Sequence, residues 1–282
     1  MSVVTGPLAE TSPAAEAFLA ALAHPARGRI AAGHAALVVA HPDDESIGCG
    51  AQLPRLRDLT VIHVTDGAPR DGAEARRRGF PDPAAYAAAR ARELDAALTR
   101  AGVEPARRLA LGYPDQGVPE AIPDLARRLA ALFEERGITL ALTHAYEGGH
   151  PDHDAVALAL QGARRLRAGR LAVIEMPFYH RGPDGPEAGS FLPAHPPRRA
   201  IALHLDPEDC ALKADLFAAH ASQAAILNTL PIALERFREA PDHPFDALPN
   251  GGRLLYEEGG RGTGGARFLA LARAAGAALG GI

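Results

Sequence analysis

Two motifs of the same form lie far apart in the chain, and each follows an apolar segment. Residues 41–45 are His-Pro-Asp-Asp-Glu after the run 36–40, and residues 150–154 are His-Pro-Asp-His-Asp after the run 138–142. Short apolar runs bounded by turn residues are typical of buried strands. Each motif offers a second metal-binding side chain three positions after its histidine. The pair therefore predicts a metal site that is divided between two strand ends.

Strand-like and helical segments alternate along most of the chain. The strand-like runs lie near 35–40, 59–65, 107–111, 138–143, 171–176 and 200–205. Helical patterns lie near 13–23, 49–57, 83–101, 120–136, 153–168, 207–219 and 222–239. This alternation predicts an α/β fold, with a doubly wound, Rossmann-like, mostly parallel sheet and helices on both of its faces.

Three parts of the chain are expected to differ in their role. Residues 1–33 form an N-terminal extension, residues 34–240 form the main domain, and residues 241–282 form a C-terminal segment packed on that domain. The stretch 177–197 is rich in proline and glycine. It is either a surface excursion between strands or a lid beside a site, and its composition favours neither.

Composition excludes several functional classes. A formal net charge of −4 does not indicate a positively charged surface that would bind nucleic acid or an anionic membrane. Cys49 and Cys210 form no CxxC pattern, so we expect no disulfide framework and a reducing cytoplasmic location. No signal peptide and no integral membrane segment are expected. Lys213, the only lysine, is expected on a solvated helix face. A homo-oligomer is left open, because composition does not separate interface from core.

The order of the strands indicates where the two motifs lie. In a doubly wound sheet of order 3-2-1-4-5, the first and fourth strands are neighbours, and ligands bind in the crevice at their carboxyl ends. The first motif ends the first predicted strand, and the second motif ends the fourth. We therefore expect both motifs to line the same crevice.

The residue types in the motifs point to hydrolysis assisted by a metal ion. Catalytic zinc sites use three protein ligands and keep one position for water. His41, Asp44 and one histidine of the second motif supply such a set, and the choice between His150 and His153 stays open. Asp43 lies beside the metal and is free to act as a base toward water. The remaining histidine would polarise a carbonyl, stabilise an oxyanion or protonate a leaving amine.

These motifs resemble those of the zinc-dependent PIG-L/LmbE-like de-N-acetylases. The similarity extends over roughly residues 35–225 and includes weaker matches at 65–67, 92–93, 114–115 and 213–223. It implies a zinc-dependent N-deacetylase whose substrate is a small N-acylated amino sugar or a glycoconjugate. Zn²⁺ is the expected cofactor, and another divalent metal such as Fe²⁺ stays open. The resemblance implies His41, Asp44 and His153 as ligands and Asp43 as general base. It also implies that His150 stabilises the oxyanion and assists the leaving group, and that Asp152 orients it.

Several polar or aromatic residues follow predicted strand ends or lie in adjacent loops, where sugar recognition needs hydrogen-bonding side chains. These substrate-contact candidates are Arg70, Tyr113, Asp115, Tyr146, Glu175 and Tyr179. Glu45 and Asp154 are equally compatible with a direct role and with support of the residues around them.

Alternative functions remain at this point. The chain would also suit an amidase of a larger thiol–sugar conjugate, or a metal-dependent carbohydrate-binding protein without turnover. Two histidines and one carboxylate are also the ligands of non-haem Fe(II) oxygenases, although Asp43 and the second histidine favour hydrolysis. The turn at 48–50 resembles a dinucleotide-binding turn, but Leu53 stands where the third glycine would be. We therefore exclude a nucleotide cofactor.

Overall fold

The computed structural model describes residues 8–258 and 263–280. Residues 1–7 of the predicted extension, and 259–262 and 281–282 of the predicted C-terminal segment, lie outside the described residues. The strands are β1 (Ile30–Ala31), β2 (Ala35–Val39), β3 (Leu56–Arg57), β4 (Thr60–Pro69), β5 (Arg108–Asp115), β6 (Leu140–His144), β7 (Ala172–Met176), β8 (Tyr179–Arg181), β9 (Pro186–Ala188), β10 (Ala200–His204) and β11 (Leu234–Glu239).

Helices connect most of these strands and cover the sheet. They are α1 (Pro13–Ala23), α2 (Asp44–Cys49), α3 (Ala73–Arg77), α4 (Pro83–Arg100), α5 (Val118–Glu135), α6 (Pro151–Leu166), α7 (Pro207–Ala219), α8 (Ala224–Leu227), α9 (Leu255–Glu258) and α10 (Gly265–Ala278). Proline occupies the first turn of several of them, where its missing N–H costs no hydrogen bond.

The central sheet has seven strands in the order β5-β4-β2-β6-β7-β11-β10. The five strands from β5 to β7 are parallel to one another, whereas β11 pairs antiparallel with β7, and β10 pairs antiparallel with β11. The α/β prediction is therefore confirmed, and the first five major strands have the predicted order 3-2-1-4-5. Adjacent β2 and β6 carry the two motifs at their carboxyl ends.

Packing on the two faces of the sheet explains the positions of the terminal segments. One apolar layer contains Phe18 and Leu22 of α1 together with Val39 of β2 and Leu142 of β6. The other layer is built mainly by α5 and α6 and includes Phe268 of α10. The described parts of both terminal segments thus contribute side chains to the core that supports the motifs.

Sequence patterns misassigned the region after α7. The helix predicted near 222–239 is wrong beyond Leu227, because Leu234–Glu239 forms strand β11. Charged residues in β11 resemble a solvated helix surface in the sequence, but they are paired inside the fold, as Arg238 with Glu175 shows. Within 177–197, β8 and β9 pair as a short antiparallel hairpin and not as a structureless loop.

Lys213 also departs from its prediction. It is buried, with 1% of its surface exposed. Its ammonium group lies 3.0 Å from Glu235 Oε1 and donates to the carbonyl oxygen of Ile47 at 2.8 Å. The Glu235 carboxylate also accepts from the backbone N–H of Ala51. This buried ion pair joins α7 and β11 to the carbonyl end of α2.

Removal of the Lys213 charge should destabilise the fold. In Lys213→Met, Glu235 keeps a buried carboxylate without its cation, so the free energy of unfolding should fall by about 3–5 kcal/mol. Urea denaturation followed by circular dichroism measures this loss. The double variant Lys213→Met/Glu235→Gln should recover part of it, and Asp215→Asn on the exposed side of α7 is the control. Wild-type stability in Lys213→Met would contradict the assigned ion pair.

Candidate active site

The pairing of β2 with β6 brings the two motifs together. The ladder runs as far as Leu37 opposite Leu142. Beyond it, the backbone N–H of Ala40 donates to Nε2 of His144 at 2.9 Å, which continues the connection between the strand ends. Asp44 begins α2 just after β2, and Pro151 begins α6 after the loop that follows β6. The first turns of two helices therefore meet at one edge of the sheet.

Three side chains of the motifs converge on one point. His41 Nδ1 lies 3.3 Å from Asp44 Oδ2, and His153 Nε2 lies 3.3 Å from both Asp44 Oδ1 and His41 Nδ1. Donor atoms of a tetrahedral site with bonds of about 2.0–2.1 Å are separated by about 3.3 Å. The three groups are all buried. Their spacing and chemistry therefore fit one small divalent cation.

Asp152 orients one of these three groups. His41 Nε2 donates to Asp152 Oδ2 at 3.1 Å, and the same carboxylate accepts the backbone N–H groups of Gln116 and Val118. With its proton on Nε2, the His41 ring presents the lone pair of Nδ1 to a cation. The expectation that Asp152 orients His150 is corrected here: the carboxylate contacts His41, and only the backbone N–H of Asp152 contacts His150.

Electrostatic interactions hold Asp44 in its ionised form. Burial alone would raise the pKa of Asp44, but His153 and His144 outweigh burial and hold that pKa well below its usual range. Asp44 Oδ2 also accepts the backbone N–H of His41 at 2.7 Å. An ionised, hydrogen-bonded carboxylate between two imidazoles is a suitable anionic ligand for a divalent cation.

Asp43 is adjacent to this carboxylate but differs from it in environment. Its Oδ2 accepts from Arg90 at 3.1 Å, and Arg90 also donates to the carbonyl oxygens of Pro42 and Gly67. Burial raises the pKa of Asp43 to about 6, although Arg90 opposes the rise. A carboxylate with this pKa accepts a proton near neutral pH more readily than an ordinary aspartate. Asp43 is thus suited to act as a base.

The backbone at the base is strained. Asp43 has φ 129°, a conformation that side chains other than glycine rarely adopt. Gly67, at φ 68°, allows the Arg90 guanidinium to approach, because a Cβ at position 67 would lie 2.3 Å from Arg90 Nη1. The strained turn and the close approach both aim the Asp43 carboxylate at the cavity.

Glu45 connects the first motif to two distant elements. Its Oε2 accepts from His63 Nε2 at 2.9 Å and from the backbone N–H of Asp43 at 3.0 Å. Its Oε1 accepts from His220 Nε2 at 3.0 Å and from the Ser46 hydroxyl at 2.6 Å. Burial acts to raise the pKa of Glu45, but His220 and His63 hold it well below the usual range. Glu45 therefore fixes the turn that carries Asp43 and Asp44.

The start of α6 determines which ring nitrogen of His150 accepts a hydrogen bond and which one donates. It is the N-cap of that helix, and its Nδ1 accepts the backbone N–H of Asp152 at 3.2 Å. Burial, together with His41 and His153, lowers the pKa of His150, so its ring is neutral at neutral pH. Because Nδ1 accepts a hydrogen bond, the proton of the neutral ring is assigned to Nε2. His150 lines the cavity and is available there as a hydrogen-bond donor.

Residues 36–163 match the model of the family described as PIG-L, GlcNAc-PI de-N-acetylase. We refer to this matched segment, which is less than half of the chain, as the PIG-L domain. The resemblance predicted from the two motifs is thereby confirmed.

One curated relative comes from Catenulispora acidiphila, a 1D-myo-inositol 2-acetamido-2-deoxy-alpha-D-glucopyranoside deacetylase. It is 32% identical over 152 residues, which cover 45% of this chain. The chain spans about half the length of that relative, with 50% of it covered.

Two solved structures share the fold of the PIG-L domain. The deacetylase of the A40926 pseudoaglycone is 18% identical and has a TM-score of 0.57, with 74% of this chain and 97% of that chain covered. The zinc-inhibited form of teicoplanin deacetylase is 17% identical and has a TM-score of 0.55, with 74% and 100% covered. At these identities the likeness concerns the fold alone.

A cavity of about 620 Å³ opens above the paired motifs of the PIG-L domain. Of the predicted substrate contacts, Asp115 and Tyr179 line it. Asp115 Oδ1 lies 3.3 Å from His41 Nε2, and the Tyr179 ring lies 5.5 Å from that of His153. These two residues are therefore placed to meet a substrate.

The structure does not bring the other four predicted contacts to the cavity lining. Arg70 is exposed and pairs with Asp66, and the Tyr113 hydroxyl donates to Asp124. The buried Tyr146 hydroxyl donates to the carbonyl oxygen of Ala247. Glu175 is held by Arg238 and His243. Arg70 and Tyr146 follow strand ends, whereas Tyr113 and Glu175 lie within β5 and β7. Each of the four side chains turns toward a structural partner.

Sequence analysis missed Arg90 and His144 in the PIG-L domain. Arg90 shares the buried stripe of α4 with Tyr86 and Ala97, so an arginine within an apolar helix face was the available signal. His144 stacks on His153 with ring centroids 3.9 Å apart. Its Nε2 accepts the Ala40 N–H and is engaged as a structural acceptor, although Asp44, His144 and His153 also form a group with metal-binding spacing.

Glu45→Gln should loosen this site. An amide offers one acceptor oxygen where four donors point at a carboxylate, so the free energy of unfolding should fall by about 3 kcal/mol. Isothermal titration with Zn²⁺ should also show weaker binding, because the turn that holds Asp44 is no longer fixed. Glu16→Gln on the exposed face of α1 is the matched control. Unchanged stability and unchanged zinc affinity in Glu45→Gln would contradict the assigned role.

Proposed function

We propose that the protein hydrolyses the N-acetyl (or another short N-acyl) group of an amino sugar or its conjugate, with a divalent cation held by His41, Asp44 and His153. The observation that carries this proposal is the mutual 3.3 Å spacing of those three groups, with Asp43 and His150 beside them in one cavity. A nucleophile activator, an oxyanion donor and a ligand set are the parts that amide hydrolysis requires.

Zinc is the proposed cation. Two imidazoles and one carboxylate form a common catalytic zinc set, in which one position stays open for exchange. A bound zinc ion would supply Lewis acidity, which lowers the pKa of water so that water can lose a proton and attack an amide near neutral pH. Asp152 supports the set by fixing the orientation of the His41 ring.

Asp43 is the proposed proton acceptor. Its carboxylate lines the cavity next to the ligand Asp44, and Arg90 fixes one of its oxygens. A pKa of about 6 allows it to take a proton from the attacking water and to deliver it to the departing amine. One carboxylate thus serves both halves of the reaction.

His150 is the proposed partner of the amide carbonyl. Its Nε2–H donor, assigned from the hydrogen bond that Nδ1 accepts, faces the same cavity as Asp43. A fixed donor stabilises negative charge as it develops on the carbonyl oxygen, which typically accelerates acyl transfer by about 10²–10³-fold.

The names of the similar proteins support this substrate class. The Catenulispora relative is a deacetylase of a glucosaminyl inositol, and the similar solved structures include deacetylases of the A40926 pseudoaglycone and of teicoplanin. The names of these proteins share the removal of an acetyl group from a conjugate. We therefore propose the same substrate class for this chain and infer the kind of conjugate from the cavity.

Amide hydrolysis should depend on the divalent cation. A panel of N-acetylglucosaminides, followed by fluorescamine detection of free amine, should show turnover that ceases after dialysis against a chelator. Stoichiometric Zn²⁺ should restore turnover, and excess Zn²⁺ and Fe²⁺ are tested alongside. The same chelation should lower the Tm, since the fold loses a ligand that binds only the native state. Sugar binding without amine release from any member of the panel would favour the carbohydrate-binding alternative.

Asp43→Asn should separate metal binding from catalysis. Asparagine keeps the branching and volume of the aspartate side chain, but it has no proton-accepting carboxylate. We expect kcat to fall by about 10²–10⁴-fold, with one cation still bound per chain by elemental analysis. Asp215→Asn, exposed on α7, is the control that should keep full activity. An active Asp43→Asn enzyme would show that another group removes the proton.

A further inference from the structure

We propose that the cavity selects an amino sugar whose aglycone is uncharged and apolar, and that it disfavours a phosphate-bearing aglycone. This inference rests on the proposed function, because it places the acylated sugar at the paired motifs. It concerns the part of the cavity lining that is formed by residues outside the two motifs.

Apolar side chains make up part of the cavity lining, which we call the apolar wall. It consists of Ile226 of α8, Leu230, Leu255 of α9 and Pro186 of β9, each of them at least partly exposed. Exposed apolar surface of this kind gains free energy when an apolar group covers it. The wall therefore favours a hydrocarbon or aromatic aglycone.

Ile226 is unusual on this surface. It is 41% exposed, and the other large apolar side chains that are exposed in the described ranges are Leu8 and Leu166. Those two lie outside the cavity lining. An isoleucine left open to solvent at the mouth of a site is a contact available to a ligand and not a part of the core.

The charges of the cavity do not attract an anion. Its lining contains five carboxylates, Asp43, Asp44, Glu74, Asp115 and Glu187, against two arginines. Arg77 pairs with Glu74 from outside the lining, so the remaining carboxylates and positive charges balance once one divalent cation is counted. The lining therefore offers a phosphate no excess of positive charge.

Both arginines of the lining already have carboxylate partners. Arg90 donates to Asp43 and to the carbonyl oxygens of Pro42 and Gly67. Arg78 donates its Nε to Glu74 at 2.8 Å, so its charge is partly neutralised. The single lysine of the chain, Lys213, is buried against Glu235. Arg90 and Lys213 are thus engaged, and Arg78, which shares Glu74 with Arg77, is the one remaining arginine of the described lining that could meet a phosphate.

The size of the cavity agrees with a substrate larger than one sugar. Its volume of about 620 Å³ falls within the range of pockets that bury drug-sized ligands, about 300–1,000 Å³. The motif residues and the apolar wall line the same cavity. A sugar at the motifs thus leaves the wall to the aglycone.

Three substrates test the inference: the methyl and octyl glycosides of N-acetylglucosamine with the same anomeric configuration, and N-acetylglucosamine 1-phosphate. With the zinc-loaded enzyme and octyl glycoside below its micellar concentration, kcat/KM should be at least about tenfold higher for octyl than for methyl. The gain should lie mainly in KM, and the 1-phosphate should be the poorest substrate. Equal values for octyl and methyl, or a preference for the phosphate, would overturn the inference while the proposed function stands. No amine release from any of the three would count against the proposed function itself.

Ile226→Ser and Leu166→Ser separate the wall from general surface effects. Both replace an exposed apolar side chain, with 41% and 48% exposure respectively, so both variants should fold. Ile226→Ser should reduce the octyl-to-methyl ratio of kcat/KM by about threefold, whereas Leu166→Ser, outside the cavity, should leave the ratio unchanged. An unchanged ratio in Ile226→Ser would show that the octyl chain binds elsewhere.

Discussion

The parallel pairing of β2 with β6 is the constraint on which the site depends. Strands that are distant in sequence become neighbours in the sheet, and their carboxyl ends open into the same crevice. The hydrogen bond from the Ala40 N–H to His144 extends this pairing beyond the ladder. Without the pairing of β2 with β6, the distance between the first turns of α2 and α6 would not be fixed. His41, Asp44 and His153, now 3.3 Å apart, could then not share a cation.

Three consecutive acids of the first motif acquire different properties from this arrangement. Asp44 is held ionised by His153 and His144, and Glu45 by His220 and His63, so the pKa of each is well below its usual range. Asp43 faces one arginine, which does not offset burial, and its pKa is about 6. Neighbouring carboxylates of the same chemistry thus differ in properties that suit the proposed ligand, a structural acceptor and the proposed base, because each faces a different compensating charge.

Local sequence pattern and strand order were sufficient to predict that the two motifs lie together at one end of the sheet. Apolar runs ended by His-Pro-Asp placed His41 and His153 correctly at one crevice, since parallel strand order follows general rules. The same reasoning failed where partners are distant in sequence. The carboxylate of Asp152 turns to His41, Glu175 pairs with Arg238, and Lys213 pairs with Glu235. Charged residues appear solvated in a sequence unless the fold that buries their partners is known.

The outer cavity was difficult to predict for the same reason. Its wall comes from α8, α9 and the β8–β9 hairpin, which are too short for a periodic pattern and are held by contacts with distant residues. The N–H of Leu255 donates to the carbonyl oxygen of Gly148, next to the second motif, and Glu147 accepts the N–H groups of Phe178 and Tyr179. These bonds attach the apolar wall to the loop that carries His150. A change in the wall can therefore alter which aglycone binds, while the ligand set stays fixed by the sheet.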